Sequence, residues 1–104
     1  MKKIVLGLIV CLGFLGSCSK SSSSPSYTPD CSGAAKSFSK DALPVFQSAC
    51  VSCHSKFSSY AQIAGDKSAI RGKIVDGSMP QGGSLSTTQK NSVVCWIDSG
   101  ALNN

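Results

Sequence analysis

Six cysteines in a chain of 104 residues constrain this sequence more than any other feature. A domain this small buries only a modest fraction of its surface, so its stability usually depends on a disulfide, a metal or a cofactor. Cysteine pairs are stable in exported proteins and uncommon in the cytosol. The compartment therefore has to be established before the cysteines can be interpreted.

The N-terminus has the form of an export signal. Residues 1–3 are a positively charged head, and residues 4–15 are apolar apart from small residues. This apolar run is shorter than the about 20 residues that a membrane-spanning helix needs. Residues 15–18 resemble the bacterial lipobox, which implies cleavage before Cys18 and attachment of lipid to it. The alternative, an ordinary signal followed by a chance cysteine, would leave Cys18 as an unpaired exported thiol.

Three regions follow from this pattern. We expect residues 1–17 to be a lipoprotein signal peptide, residues 18–35 a lipidated tether rich in serine and proline, and residues 36–104 a folded domain. Residues 20–29 have little apolar content, so they cannot bury enough surface to fold by themselves. The expected product is exported and anchored by its lipid to a bacterial membrane, in the periplasm or at the cell surface.

The charge of the chain is mildly positive. Loss of Lys2 and Lys3 with the signal lowers the net charge from +5 to +3. No basic stripe with interleaved aromatic residues is present, so we expect no nucleic-acid binding. We expect a monomer whose cations weakly steer an acidic partner protein. These cations are Lys36, Lys40, Lys56, Lys67, Arg71, Lys73 and Lys90.

The sharpest motif is Cys-x-x-Cys-His, formed by Cys50, Cys53 and His54. This spacing is typical of the covalent attachment of a c-type haem. Near a helix end, two cysteines three positions apart can reach the two vinyl-derived carbons on one haem edge, while the adjacent histidine turns towards the iron. A thioredoxin-like pair would need a strand before it and a helix that opens at it. A zinc site would need four ligands, and His54 is the only histidine of the chain.

Met79 is the predicted ligand for the second axial position of such a haem. No second histidine exists, and Met1 leaves with the signal, so Met79 is the only thioether of the mature chain. The glycines and proline of residues 77–83 predict an irregular loop that lets the sulfur approach a metal. The alternative is that Met79 fills a gap in the core. Ligation by His54 and Met79 would occupy both axial positions, which favours electron transfer over oxygen chemistry.

At these residues the chain resembles the class I cytochrome c family, and more closely the small lipoprotein cytochromes of bacteria. The resemblance covers about residues 37–104 and is carried by the haem motif and three further stretches, residues 38–46, 79–83 and 96–101. It implies an all-α fold, a small cytochrome c-like bundle of about three to four helices around one covalently bound haem c. It also implies that His54 is the proximal ligand and Met79 the distal one.

The pattern of apolar residues independently predicts helices. A first helix should lead into Cys50 with Ser39 as its N-cap. Pro44 is compatible with it only if the helix begins near residue 42 or 43, or bends there. No alternation typical of a strand is long enough to propose a sheet.

Three further helices are expected along the domain. Asp66 is the predicted cap of the second of them, and Ser86 with Gln89 predicts a capping box for the last. Val93, Trp96 and Ile97 should form the apolar face of that last helix, with Trp96 against the haem or the first helix. The expected bounds are residues 60–64, 67–75 and 86–100.

Two cysteines remain once the others are assigned. Cys11 leaves with the signal, so Cys31 and Cys95 are one possible pair, and we expect a disulfide between them in an oxidising compartment. Their Cα atoms should then lie roughly 4.4 to 6.8 Å apart. A loop of that length stabilises the fold by about 4 kcal/mol in the chain-entropy model. The alternative is two separate buried thiols.

The leading interpretation is a membrane-tethered electron carrier with one haem and no enzymatic activity. His54 and Met79 should then face one apolar cavity lined by residues such as Phe46, Ile74 and Trp96. A haem sensor or a peroxidase-like haem domain with an open iron position is the main alternative. A binding lipoprotein with zinc or a disulfide at the Cys-x-x-Cys pair is the third.

Overall fold

The computed structural model describes residues 27–104, and every regular element within them is helical. Over these residues no strand is formed, which confirms the all-α prediction for the described part of the chain. In chain order the elements are a π-helical turn (Phe38–Ala42), α1 (Leu43–Ala49), a 3₁₀ turn (Ser55–Ser58), α2 (Tyr60–Gly65), α3 (Lys67–Val75) and α4 (Thr87–Asp98).

Several predictions concern residues 1–26, which lie outside the described residues. They are the signal peptide, the lipidation of Cys18 and the first part of the tether. Between residues 27 and 104, no helix has the length and apolar character needed to cross a membrane.

Pro44 explains why the first helical segment has two parts. Proline has no backbone N–H, so Pro44 cannot donate to a carbonyl of the preceding turn. The turn before it has the wider π spacing, in which the N–H of Leu43 donates to the carbonyl of Phe38. The regular α-helix begins only at Leu43, which confirms the predicted start.

The predicted N-cap of this segment is wrong by two residues. Ser37, not Ser39, is the cap, and its hydroxyl accepts a hydrogen bond from the N–H of Lys40 at 3.1 Å. The N–H of Ser37 in turn donates to the carboxylate of Asp41 at 2.8 Å. Ser39 is the second residue of the helical segment, past the N-cap position from which a hydroxyl reaches the first free N–H groups.

The later helices have the expected bounds to within a residue or two. α4 begins with the predicted capping box: the hydroxyl of Ser86 accepts from the N–H of Gln89 at 3.1 Å, and the Gln89 side chain accepts from the N–H of Ser86 at 2.9 Å. Asp66 precedes α3 but makes no side-chain cap. Its carboxylate is paired instead with the ammonium of Lys56, at 2.6 Å.

Trp96 lies at the centre of the core and is fully buried. Its ring centroid is 5.3 Å from that of Phe38 and 6.3 Å from that of Tyr60. Its indole N–H donates to the carbonyl of Leu102 at 2.8 Å, so the buried donor is satisfied. The sequence predicts that Trp96 packs against a haem or against the first helix, and the structure shows it against Phe38 of the first helical segment.

The N-terminal strap, which we define as residues 27–36, runs along α4. The hydroxyl of Tyr27 donates to the side-chain carbonyl of Asn91 at 2.6 Å, and the N–H of Asp30 donates to the same oxygen at 3.2 Å. Cys31 and Cys95 lie at disulfide distance, with Cα atoms 5.4 Å apart, inside the predicted range. The packed region therefore reaches Tyr27, ahead of residue 36, where the predicted domain begins.

Candidate functional site

The Cys-x-x-Cys-His motif forms a tight turn at the end of α1. Cys50 is the C-cap of that helix, and its N–H donates to the carbonyl of Phe46 at 3.0 Å. The carbonyl of Cys50 then accepts from the N–H of Cys53 at 3.2 Å and from that of His54 at 2.8 Å. These two bonds fold the chain back on itself, so the two thiols and the imidazole belong to a single turn.

The two thiols have different surroundings. Cys50 is partly buried and Cys53 is exposed. Burial raises the pKa of the Cys50 thiol above its ordinary value of 9.0. A helix C-terminus also disfavours a thiolate, whereas thiol oxidoreductases place their attacking cysteine at a helix N-terminus. Both features count against the thiol-redox interpretation of this pair.

His54 lies at the junction between the motif and the 3₁₀ turn. Its ring centroid is 5.3 Å from that of Phe57, which is buried. The Phe57 ring is in turn 6.0 Å from that of Phe46 in α1. A run of aromatic rings thus joins the imidazole to the core and limits the positions that it can take.

Met79 lies in the loop that joins α3 to α4. Gly77 has a φ of +79°, a value that L side chains rarely adopt, and it turns the chain out of α3. The N–H of Ser78 donates to the carboxylate of Asp76 at 2.8 Å, and the N–H of Met79 donates to the carbonyl of Lys73 at 3.2 Å. These bonds tie the backbone of Met79 to the last turn of α3.

One cavity of about 610 Å³ is lined by all four predicted haem residues, Cys50, Cys53, His54 and Met79. Its size is in the usual range for cofactor and ligand sites, about 300 to 1,000 Å³. Most of the wall is apolar and comes from α1, the 3₁₀ turn, α3 and the loop before α4. Prominent apolar lining residues are Phe46, Ala49, Phe57, Ile70, Ile74 and Leu85.

The prediction for the cavity wall is confirmed for Phe46 and Ile74 and wrong for Trp96. Trp96 lies in α4, and its ring packs on Phe38 and Tyr60 within the core. None of the residues of α4 reaches the cavity. An apolar face on a helix shows that the face is buried, but it does not show whether the neighbour is protein or cofactor.

The cavity also has a few polar lining residues, among them Lys56, Asp66 and Lys73. The ammonium of Lys56 is 2.6 Å from the carboxylate of Asp66, so this pair bridges the 3₁₀ turn and the start of α3. Lys73 has no acidic partner within salt-bridge distance among residues 27–104. Both members of the ion pair are substantially exposed, so the pair marks the rim of the cavity.

The chemistry of the donor set fits a haem better than a lone metal ion. Within residues 27–104, no three His, Cys, Asp or Glu side chains come together as a zinc site requires. A haem brings four nitrogen ligands of its own and needs only two axial groups, which His54 and Met79 can supply. Its two attachment points match Cys50 and Cys53, and its flat apolar body matches the apolar wall.

Several apolar residues of the cavity wall were not predicted from the sequence. Ile70 lies four positions before Ile74 on α3, so helical spacing alone places both on one face and could have identified it. Phe57 follows the motif by only three residues, but nothing in its neighbourhood predicts the 3₁₀ turn that directs it inwards. Leu85 is the last residue before the α4 cap, where an apolar side chain commonly packs back onto the helix.

Comparison with known proteins adds nothing further here. No protein-family model, no curated protein and no solved structure matches this chain. What the cavity can hold has to be inferred from its own residues.

Proposed function

We propose that this chain is the precursor of a lipid-anchored cytochrome that carries one c-type haem and transfers electrons without catalysing a reaction of its own. A single observation carries the proposal. Cys50, Cys53, His54 and Met79 come from two separate parts of the sequence and line one cavity that is otherwise mostly apolar. A core methionine and an unrelated cysteine pair would have no reason to share a cavity.

Each residue has a defined role in this proposal. The haem, when bound, supplies an iron that cycles between two oxidation states. The sulfurs of Cys50 and Cys53 would hold the haem covalently, and the imidazole of His54 and the thioether of Met79 would bind its iron. The apolar wall limits the access of water, and this is one of the ways in which a protein sets a reduction potential.

The proposal extends to the location and the partners of the protein. Lipid on Cys18 would anchor the domain to a bacterial membrane, in the periplasm or at the cell surface. The domain would act as a monomer and exchange electrons with redox partner proteins. The open-iron alternative, a sensor or peroxidase-like domain, differs in one property, because its iron would bind added ligands while Met79 is intact.

Covalent haem is the direct test. The full chain would be expressed in a bacterium that matures c-type cytochromes, and membrane extracts would be stained for haem after denaturing electrophoresis. We expect a stained band, because thioether-linked haem survives denaturation, and a reduced-protein absorption spectrum typical of a low-spin c-type haem. The double variant Cys50→Ala/Cys53→Ala should lose the band.

Ser52→Ala is the matched control, because Ser52 lies between the two cysteines and also lines the cavity. This variant should keep the band. A wild-type chain that accumulates as a folded, exported protein without stainable haem would contradict the proposal. It would favour the zinc or disulfide interpretation of the pair.

A further inference from the structure

A haem attached through Cys50 and Cys53 would still carry two charged groups, because its two propionate side chains are carboxylates. These groups lie at the edge of the ring away from the vinyl-derived carbons that bind the cysteines. A carboxylate beside an apolar wall is costly to remove from water unless a cation or hydrogen-bond donors meet it. The cavity should therefore offer a cation on the side away from the Cys-x-x-Cys-His turn.

α3 forms that side of the cavity. Among residues 27–104, α1 and α3 both pack on α4 and make little contact with each other. Residues of both helices line the cavity, so it lies between them. The lining residues of α3 are spaced by one, three or four positions and share one face of the helix, and they are Ala69, Ile70, Lys73 and Ile74. Of the described residues of α3, only Lys73 brings a charge to the cavity.

Lys73 differs from Lys56, the other cation that lines the cavity. Lys56 lies in the 3₁₀ turn directly after the motif, and its ammonium is 2.6 Å from the carboxylate of Asp66. Lys73 has no carboxylate within salt-bridge distance among residues 27–104. The carboxylate of Asp76, three positions later, accepts from the N–H of Ser78 at 2.8 Å. A carboxylate that enters the cavity therefore meets a paired ammonium at Lys56 and an unpaired one at Lys73.

The wall around Lys73 changes from apolar to polar. Ile70 and Ile74 are buried, whereas Lys73 on the same face is exposed. A lysine can lay its methylene stem along an apolar wall while its ammonium stays at the mouth of a cavity. This order suits a ring whose body is apolar and whose carboxylates lie at one edge.

We infer that the ammonium of Lys73 binds a propionate of the haem and so holds the edge of the ring opposite to the two thioethers. The inference rests on the proposed function. In such a contact the ammonium donates charge-assisted hydrogen bonds to the carboxylate, and these are roughly twice as strong as hydrogen bonds between neutral groups. Lys73 is then a cofactor-binding residue, although it is not a ligand of the iron.

Resonance Raman spectroscopy can test this contact, because the propionate bending band of a haem moves to higher wavenumber when the carboxylate accepts hydrogen bonds. Haem-loaded protein would be purified in detergent and reduced, as the wild type and as Lys73→Ala, Lys73→Arg and Lys67→Ala. We expect Lys73→Ala to shift the band to lower wavenumber, and Lys73→Arg to keep it near the wild-type position.

Lys67→Ala is the matched control, because Lys67 lies on the same helix and does not line the cavity. Its band should coincide with that of the wild type. An unchanged band in Lys73→Ala, or an equal shift in Lys67→Ala, would overturn the inference.

NMR of the reduced protein, labelled with ¹³C at the lysine Cε atoms, identifies the partner of the propionates directly. We expect nuclear Overhauser effects between the ε protons of Lys73 and the propionate methylene protons. Lys56, which is paired with Asp66, should show none. Contacts from Lys56 and none from Lys73 would place the propionates beside the motif and overturn the inference.

The haem stain separates this inference from the proposed function. A chain that carries no covalent haem would contradict the proposed function, and the inference with it. A haem-loaded protein with a low-spin c-type spectrum, whose Raman band does not respond to Lys73→Ala, would contradict the inference alone.

Discussion

The backbone N–H of Met79 donates to the carbonyl of Lys73 at 3.2 Å, so the loop that carries Met79 is fixed to the end of α3. α3 also supplies Ile70 and Ile74 to the cavity wall. The position of the Met79 backbone relative to the cavity is therefore set by the helix that forms one side of the cavity. An axial ligand benefits from such fixation, because the bond to the metal then orders few additional groups.

Replacing Met79 with Ala should open the iron to added ligands and lower its reduction potential. The thioether stabilises the reduced metal, and axial ligands span about 0.8 V across haem proteins, so we expect a shift on the order of 0.1 V or more. Redox titration and carbon monoxide binding to the reduced protein measure the two effects. Gln81→Ala, in the same loop, should change neither. If Met79→Ala keeps the parent potential and excludes carbon monoxide, another group fills the sixth position.

Replacing Trp96 with Phe should weaken the fold and leave the haem environment unchanged. The variant loses a buried hydrogen bond to Leu102 and part of the core volume, which together should cost about 1 to 3 kcal/mol. Because Trp96 does not line the cavity, the spectrum and potential of the haem should match the wild type. Urea unfolding measures the free energy of unfolding, and redox titration of the same sample measures the reduction potential. A shifted potential would mean that Trp96 does contact the haem.

Loss of the Cys31 to Cys95 pair should lower the free energy of unfolding. The pair spans 64 residues, and the chain-entropy model gives about 4 kcal/mol for a loop of that length. The variant Cys31→Ala/Cys95→Ala and the reduced wild type should unfold at similar urea concentrations, both below the oxidised wild type. Reductant should have no effect on the double variant. A wild type insensitive to reductant would indicate two free thiols.

The carboxyl group of Asp76 should titrate below the ordinary aspartate value of 3.8. Ser78 holds this pKa down through its hydroxyl, which lies close to the carboxylate, and through its N–H, which donates to the carboxylate at 2.8 Å. Because this pKa is lower in the folded state than in the unfolded state, the ionised carboxylate stabilises the protein above about pH 4. This stabilisation is lost as the pH falls through the folded-state pKa. Ser78→Ala removes the hydroxyl alone, so NMR titration should show a partial rise in the pKa. Ser48→Ala, in α1, should leave it unchanged.

Association with an acidic partner should slow as salt is added, because surface charges are screened beyond about 8 to 10 Å at physiological ionic strength. Lys56 and Arg71 already have acidic partners in the structure. Lys73, at the cavity, is the cation best placed to act on a protein docked there. Stopped-flow rates should fall more for Lys73→Gln than for Lys40→Gln, on the first helical segment. Rates independent of salt would argue against steering.

Local signals in the sequence predict much of this fold. Ser86 and Gln89 are a reciprocal pair whose bonds depend only on a three-residue spacing, so α4 begins where expected. Pro44 likewise fixes a helix start, because its missing N–H acts on its own turn. Each of these features depends on residues that are close in the chain, and such interactions need no knowledge of the tertiary structure.

The differences from the predictions concern the choice among competing hydrogen-bond partners, and two of the three partners are distant in the chain. Ser37 and Ser39 are equally good caps in isolation, and the bond from the Ser37 N–H to Asp41 favours the earlier one. Asp66 is of a residue type that commonly caps helices, but its carboxylate is paired with the ammonium of Lys56, ten positions earlier in the chain. Tyr27 binds Asn91, which lies 64 positions later in the chain. Tyr27 belongs to a serine-rich stretch, and composition alone predicts no contact there.

The pairing of Cys31 with Cys95 has a consequence for resistance to proteases. Cys50, Cys53, His54 and Met79 all lie between the two paired cysteines in the chain, so a disulfide there would enclose the whole site in a covalent ring. Exposed loop tips such as residues 81–84 are preferred sites of proteolytic cleavage. A single cut there would open the ring but leave both fragments joined by the disulfide, so α4, which carries Cys95, would stay attached to the fragment that contains the four site residues.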